Sequence, residues 1–253
     1  MRVEVSNLGF SYVDKEYVPK PVLANLDLVV PSGSITAVVG VNGSGKSTLL
    51  RLIARLEKPS GGSIRFIGEQ RYEHLTALVF QDPTLIPWWK IGRNVAISAE
   101  FSDKSDELYE RIKDFHSKQV GLGNLLRRFP QSLSRGQQTR AAIGRAFAHD
   151  SDVVLLDEPF VHLDAVSRRR LQHELETHWQ FDPRTTILVS HDVEEAVMLA
   201  DRVAVMRAGP GPLVETIEID AVRPRTELDP SEPGLRAATA RVWDALERSR
   251  EPS

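Results

Sequence analysis

Residues 40 to 48 read Gly-Val-Asn-Gly-Ser-Gly-Lys-Ser-Thr, and this run constrains the fold more than any other part of the chain. It fits G-x-x-x-x-G-K-[ST], a loop whose backbone N–H groups turn inward around the phosphates of a nucleotide. Its flanks agree. Ile35 to Val39 is a short β-branched apolar run, as for a buried strand, and Leu49 to Ala54 continues at helical spacing. Strand, glycine loop and helix together set an anion at a helix N-terminus, where unsatisfied N–H groups and the dipole favour negative charge. In that arrangement Lys46 reaches the β and γ phosphates and the Ser47 hydroxyl ligates Mg²⁺.

Composition narrows the function classes. The 253 residues are 41% hydrophobic and 26% charged, enough for one large domain or two small ones. A net charge of -3 argues against a general nucleic-acid binder, which is normally basic. Zero cysteines rule out a disulfide scaffold, a zinc ribbon and a thiol nucleophile, and suit a reducing compartment. The first ten residues lack the apolar core of a signal peptide. No apolar run approaches the roughly 20 residues of a membrane-spanning helix. The expectation is a soluble chain whose membrane role, if any, is exercised through a partner.

The pattern along the chain predicts an α/β fold. Residues 1 to 40 alternate like strands with a turn at Pro31-Ser32-Gly33, and further short strands are expected at Ile64 to Phe66 and Leu75 to Phe80. From Pro83 to about Asp150 the period turns helical, as in Asp106 to His116. Strand character returns at Val153 to Leu156, Thr185 to Val189 and Val203 to Met206. A helical insertion between two halves of a mostly parallel sheet is the simplest arrangement. The tail beyond Asp220 opens with a charged, proline-rich stretch and ends in an amphipathic helix from Gly234 to Arg248.

Two further segments carry chemistry. Val153 to Glu158 is an apolar strand ending in adjacent carboxylates. In a phosphate-loop protein such an acid holds Mg²⁺ directly or through water, which suits Asp157. Alternation sends the next side chain elsewhere, and Glu158 suits a general base acting on the water that attacks the γ-phosphate. In Leu133 to Gln137, Ser134 reads as an N-cap and Gly136 allows close backbone approach, so a second anion-binding helix start is expected there.

With these segments in order, the chain resembles the nucleotide-binding subunit of an ATP-binding cassette (ABC) transporter over about residues 1 to 220. Gly40, Val41, Asn42, Gly43, Ser44, Gly45, Lys46, Ser47 and Thr48 match the Walker A loop, and Gln81 matches the Q-loop. Leu133 to Gln137 matches the signature motif, and Val153 to Glu158 the Walker B strand with its catalytic glutamate. Leu163-Asp164 matches the D-loop, His191 the switch histidine, and Tyr12 the aromatic residue that stacks on adenine. The resemblance implies a P-loop NTPase (RecA-like) core with an N-terminal antiparallel β part, a helical subdomain at about 83–150 and a tail at 221–253. It implies hydrolysis of ATP to ADP and phosphate with Mg²⁺ held by Ser47, Gln81 and Asp157. Glu158, His191 and Gln81 are then the catalytic set. In a homodimer, Ser134, Gly136, Gln137 and Asp164 of one subunit meet ATP on the other. The implied partners are an integral-membrane permease subunit and, indirectly, an extracytoplasmic solute-binding protein, without nucleic acid. The implied location is the cytoplasmic face of the cell membrane.

Phe80 to Trp89, and Ser190 to Ala196 with Leu199 to Val203, are similar to ATPases of nitrate, sulfonate, taurine and pyrimidine-precursor importers. One motif departs from the family: Arg135 stands where the signature commonly has its first glycine, and a left-handed backbone there would cost roughly 1–2 kcal/mol. Trp88, Trp89 and Ile91 are expected to line an exposed groove for a permease helix, since interface cores favour aromatics. His74, His116 and His178 follow no strand end near the phosphate loop and are expected to be solvated. Two alternatives remain: a soluble ABC-class ATPase not coupled to transport, acting in DNA repair or on the ribosome, and a small-molecule P-loop kinase. The first lacks its usual long coiled coil here, and the second leaves Gln81, His191 and the signature segment without purpose.

Overall fold

The computed structural model describes residues 1–13, 18–72, 74–97, 121–149, 151–229 and 232–250. Asp106 to His116, the stretch expected to be helical, lies outside the described residues. The chain divides into two compact units, Met1–Glu69 with Arg184–Ser253, and Gln70–Pro183.

In the first unit, β1 (Arg2–Val13) pairs antiparallel with β2 (Pro19–Val30) on one side and β4 (Gly61–Ile67) on the other. The alternation read in the sequence is visible as burial of Val3, Val5, Leu8 and Phe10. A second sheet has β3 (Ile35–Val39) at its centre, parallel to β7 (Thr185–Ser190) and to β8 (Arg202–Val205), with β9 (Glu215–Glu218) antiparallel at the far edge of β8. Every residue of β3 and β7 is buried, which is why both read as continuous runs and not as alternation. The helices are α1 (Lys46–Ile53), α5 (Val193–Leu199) and α6 (Pro233–Arg248). The charged tail is stitched into this unit. Arg225, 3% exposed, donates to the carbonyls of Ala200, Ala221 and Ile219, and Arg223 donates to Asp201 at 2.8 Å and to the Leu199 carbonyl at 2.7 Å. Asp201 in turn accepts from the Ile35 amide at 2.8 Å, so the tail and the start of β3 share one carboxylate.

In the second unit, β5 (His74–Val79) runs parallel to β6 (Ser151–Asp157). Around them stand α2 (Ile91–Val95), α3 (Arg135–Ala148) and α4 (Ala165–Phe181). β6 is buried throughout, but β5 buries only Ala77 and Val79, less than its sequence suggests.

Three expectations need correction. His178 is not solvated: it lies 1% exposed on α4, its ring 4.0 Å from that of Phe147. Its spacing from Leu171 and Leu175 puts it on the buried face of that helix, and the helical period overrides residue type. His74 is half-buried and stacks on His149 at 4.1 Å. Ile91 does not line an exposed groove, because it is fully buried at the start of α2, whose amide it ties to the Arg128 carbonyl at 2.9 Å. The backbone cost foreseen at Arg135 does not arise either, since Arg135 is the first residue of α3 and has no positive φ. Among the described residues, no helix is long and apolar enough to cross a membrane.

Candidate active site

The first unit supplies the phosphate loop. β3 ends at Val39, the chain turns through residues 40–45, and α1 begins at Lys46. Gly45 is the helix N-cap with φ 94°, and a Cβ there would sit 2.7 Å from Leu23 Cδ2 and 3.3 Å from the Val22 carbonyl. Only glycine meets both demands. Because Gly45 brings no side chain, no residue caps the first turn of α1, and that turn holds no acid. A helix start with neither a side-chain cap nor an acid favours an anion there. The Ser44 hydroxyl, buried in the loop, has no hydrogen-bond partner among the described residues. An orphaned buried donor costs free energy unless something fills the loop, and a phosphate oxygen is an acceptor of the right kind. Lys46 is 5% exposed and folds its ammonium onto the carbonyls of Gly40 and Val41 at 2.9 and 3.1 Å. Such bonds are exchangeable for phosphate oxygens, to which a charged donor bonds about twice as strongly.

Two further residues of that unit stand near the loop. Val39 pairs with Ser190 in the parallel register, so Gly40 and His191 leave the carboxyl ends of adjacent strands side by side. Open α/β sheets bind ligands outside those ends. His191 is exposed and is held between two fixed points. The Ser190 hydroxyl bonds Glu195, and Asp192 caps α5 by accepting from the Glu195 amide at 3.1 Å. Tyr12, on β1, packs edge-on to Phe10 at 4.8 Å. Its hydroxyl lies 3.5 Å from Thr48 Oγ1 and accepts from Arg51 at 3.4 Å. The phenol is thus anchored to the same helix that starts at Lys46.

The second unit repeats the strand-end logic. Val79 pairs with Leu156, so Gln81 and the Asp157-Glu158 pair emerge from neighbouring parallel strands. Asp157 is buried at 6% exposure, Glu158 half-buried, and Gln81 exposed. Glu158 has φ 45°, a left-handed conformation that a side chain adopts at a cost of roughly 1–2 kcal/mol. That kink ends the strand's alternation at Glu158, the residue after β6.

The signature segment is built as a capping box. Ser134 Oγ accepts from the Gln137 amide at 3.4 Å, and Gln137 Oε1 accepts from the Ser134 amide at 3.1 Å. A Cβ on Gly136 would lie 2.9 Å from Leu163 Cδ2, so the glycine is set by packing against the D-loop leucine. Asp164 then caps α4, accepting from the Ser167 amide at 3.0 Å. That bond, followed by one from the Ser167 side chain, holds the carboxyl below its ordinary pKa.

The structure also brings forward contacts that the sequence did not show. Arg135 forms an ion pair with Asp82, joining the signature helix to the residue after Gln81. Asn94, fully buried, accepts from the Ile86 amide at 2.7 Å and donates toward the carbonyls of Ile86, Trp89 and Lys90 at 3.1, 3.1 and 3.3 Å. It shapes the loop that leaves Trp88 74% exposed, while Trp89 is partly covered by Arg93, whose guanidinium is 4.0 Å from its ring. The residue pair Trp88-Trp89 marked the region, but nothing local marked Asn94 as its support.

The chain is similar to known proteins of one family. A family model described as ABC transporter matches residues 23–161. The aliphatic sulfonates import ATP-binding protein of Mesorhizobium japonicum is 40% identical over 217 residues, covering 86% of this chain and 81% of that protein. A second one, from Burkholderia cenocepacia, is 38% identical over 236 residues, covering 92% and 85%. Among solved structures, a dimeric ATP-binding cassette in a post-hydrolysis state, bound to ADP and Pi, superposes with a TM-score of 0.76 at 26% identity. That likeness covers 87% of this chain and all of the other.

Proposed function

The chain belongs to the ABC transporter family, and from that premise we propose that it is the ATP-hydrolysing subunit of an importer for a small solute such as a sulfonate, taurine or nitrate. The observation that carries the reading is the phosphate loop itself: a helix start without a side-chain cap, a buried lysine and an orphaned serine hydroxyl within one short glycine-rich turn. In use, Lys46 exchanges the Gly40 and Val41 carbonyls for the β and γ phosphates, and Tyr12 offers its ring to the base. Water attacks the γ-phosphorus as the bond to the β–γ bridging oxygen breaks. Glu158 takes the proton of that water, and His191 holds the γ-phosphate edge.

Mg²⁺ supplies charge neutralisation at the phosphates when bound. Hydroxyl, amide and carboxylate oxygens from Ser47, Gln81 and Asp157 are the hard donors it takes. Among the described residues no cluster of three or more His, Cys, Asp or Glu offers a rival metal site. The ATPase domain is assigned to about 1–220, with the helical subdomain at 83–150 and the tail at 221–253. Two subunits pair so that Ser134, Gly136, Gln137 and Asp164 of one close over the nucleotide of the other. A permease binds the dimer at the cytoplasmic face of the membrane, fed by an extracytoplasmic solute-binding protein.

The test is Glu158→Gln. Amidation keeps size but removes the base, so steady-state ATP hydrolysis should fall by about 10²–10⁴ while ATP binding persists. An ATP-bound dimer should then accumulate on size-exclusion chromatography. Turnover within a few-fold of wild type would remove Glu158 from the mechanism.

A further inference from the structure

Between α5 and α6, both in the first unit, lies a cavity of about 380 Å³, within the usual range for a small-molecule site. Its walls combine two chemistries. Met198, Leu235 and Trp243 make an apolar surface, and Trp243 stays half exposed there, an unusual state for a large aromatic. Glu194 from α5 and Arg236 from α6 add one charge of each sign. Among the described residues neither engages an ion pair, although the neighbouring Arg241 and Arg248 are both committed to Glu215 at 2.6 and 2.5 Å. An apolar wall bracketed by an uncommitted carboxylate and an uncommitted guanidinium complements one class of molecule, a small zwitterion with an apolar body, of the amino-acid kind.

The cavity also touches the catalytic machinery through α5. That helix is fixed at its start by the Asp192 cap and by the bond between Glu195 and Ser190, and His191 sits between those two anchors. A ligand spanning Glu194 and Arg236 would clamp α5 to α6 and restrain the loop that carries His191. We propose that this cavity is a regulatory site for a small zwitterion with an apolar body, and that its occupation slows ATP turnover by restraining His191. The turnover half rests on the ATPase reading above. The binding half does not, because it is measured without nucleotide.

The experiment uses the full chain labelled with 5-fluorotryptophan, followed by ¹⁹F NMR, with Trp243→Phe assigning the Trp243 resonance. L-leucine should shift that resonance saturably, and 4-methylpentanoate and isopentylamine, which each lack one charge, should bind about tenfold more weakly or less. Arg236→Gln and Glu194→Gln, both at exposed positions, should each weaken leucine binding about tenfold without lowering the melting temperature. At saturating ATP, leucine should lower turnover by about twofold or more in wild type and leave Arg236→Gln unaffected. No shift up to about 10 mM leucine, a regime weaker than any useful affinity, would overturn the site. Equal binding of the singly charged analogues would reduce it to a plain apolar groove. Saturation with unchanged turnover would overturn the link to His191.

Discussion

Asn94→Ala should destabilise the protein by about 3 kcal/mol, far more than its size suggests. The carboxamide has one strong acceptor bond, from the Ile86 amide at 2.7 Å, and two N–H groups spread over three carbonyls at 3.1 to 3.3 Å. Two hydrogens cannot serve three acceptors fully, so three good bonds are lost at about 1 kcal/mol each. The carbonyls are partly insured. Ile86 O also accepts from the Trp89 amide at 3.1 Å, and Lys90 O from the Asn94 amide at 3.0 Å. The Ile86 amide has no such second partner among the described residues, so its bond is the one least able to be replaced. For a chain of this size about 3 kcal/mol corresponds to a drop of roughly 6–12 °C in melting temperature. Urea unfolding followed by tryptophan fluorescence measures it directly. Asn94→Asp sharpens the test, because it keeps the acceptor but points a carboxylate at three carbonyl oxygens. It should be at least as harmful at neutral pH and recover partly in acid. An Asn94→Ala variant within about 0.5 kcal/mol of wild type would refute the argument, since that is the range of an ordinary surface change.

Lys46→Ala removes a buried charge from the phosphate loop and should abolish measurable ATP binding by calorimetry; unchanged affinity would sink its assignment. Trp88→Ala should leave the melting temperature within about 1 °C, given 74% exposure, yet weaken association with membranes carrying the permease by about 30-fold, the scale of an aromatic hot spot. Ile91→Ala should do the reverse, lowering stability by about 2–5 kcal/mol because Ile91 is core. Glu215 is held below its ordinary pKa of 4.5, first by its bond from Arg248 and then by that from Arg241. Its contribution is therefore full above that value and disappears as pH falls through the lower folded-state pKa. Glu215→Gln should cost at most about 1 kcal/mol at pH 7, because both arginines are exposed, and nothing in strong acid; a loss independent of pH would contradict the ion-pair account.

What could be read from the sequence was the chemistry that local hydrogen bonds enforce. The phosphate loop, the Ser134 cap and the helix ending at Arg248 depend on residues within a few positions of one another, and the structure places each where its spacing implied. The misplaced residues are those whose environment is decided from far along the chain. His178 is polar by type but buried by helical phase against Phe147. Arg225, in a tail that reads only as charged and proline-rich, closes the open carbonyls of Ala200 and Ile219. Ile91 follows two exposed-looking tryptophans but turns inward because α2 is pinned to the 126–128 segment. In none of these cases does the neighbouring sequence hold the partner.

Arg135 shows how the two kinds of information meet. Read as a motif, the position asks for glycine, and a side chain there implies strain. In the structure it is the first residue of α3, where any residue fits the backbone, and its guanidinium pairs with Asp82. The glycine that the packing favours is the next one, because a Cβ on Gly136 would stand 2.9 Å from the end of the Leu163 side chain, which would have to move. The steric demand therefore comes from the D-loop and not from the helix start. The departure at Arg135 replaces no backbone function, and it gives the segment after Gln81 an electrostatic tie to the signature helix. The one residue at which the motif is irregular thus carries an exposed ion pair to the segment after Gln81, a contact of small energy.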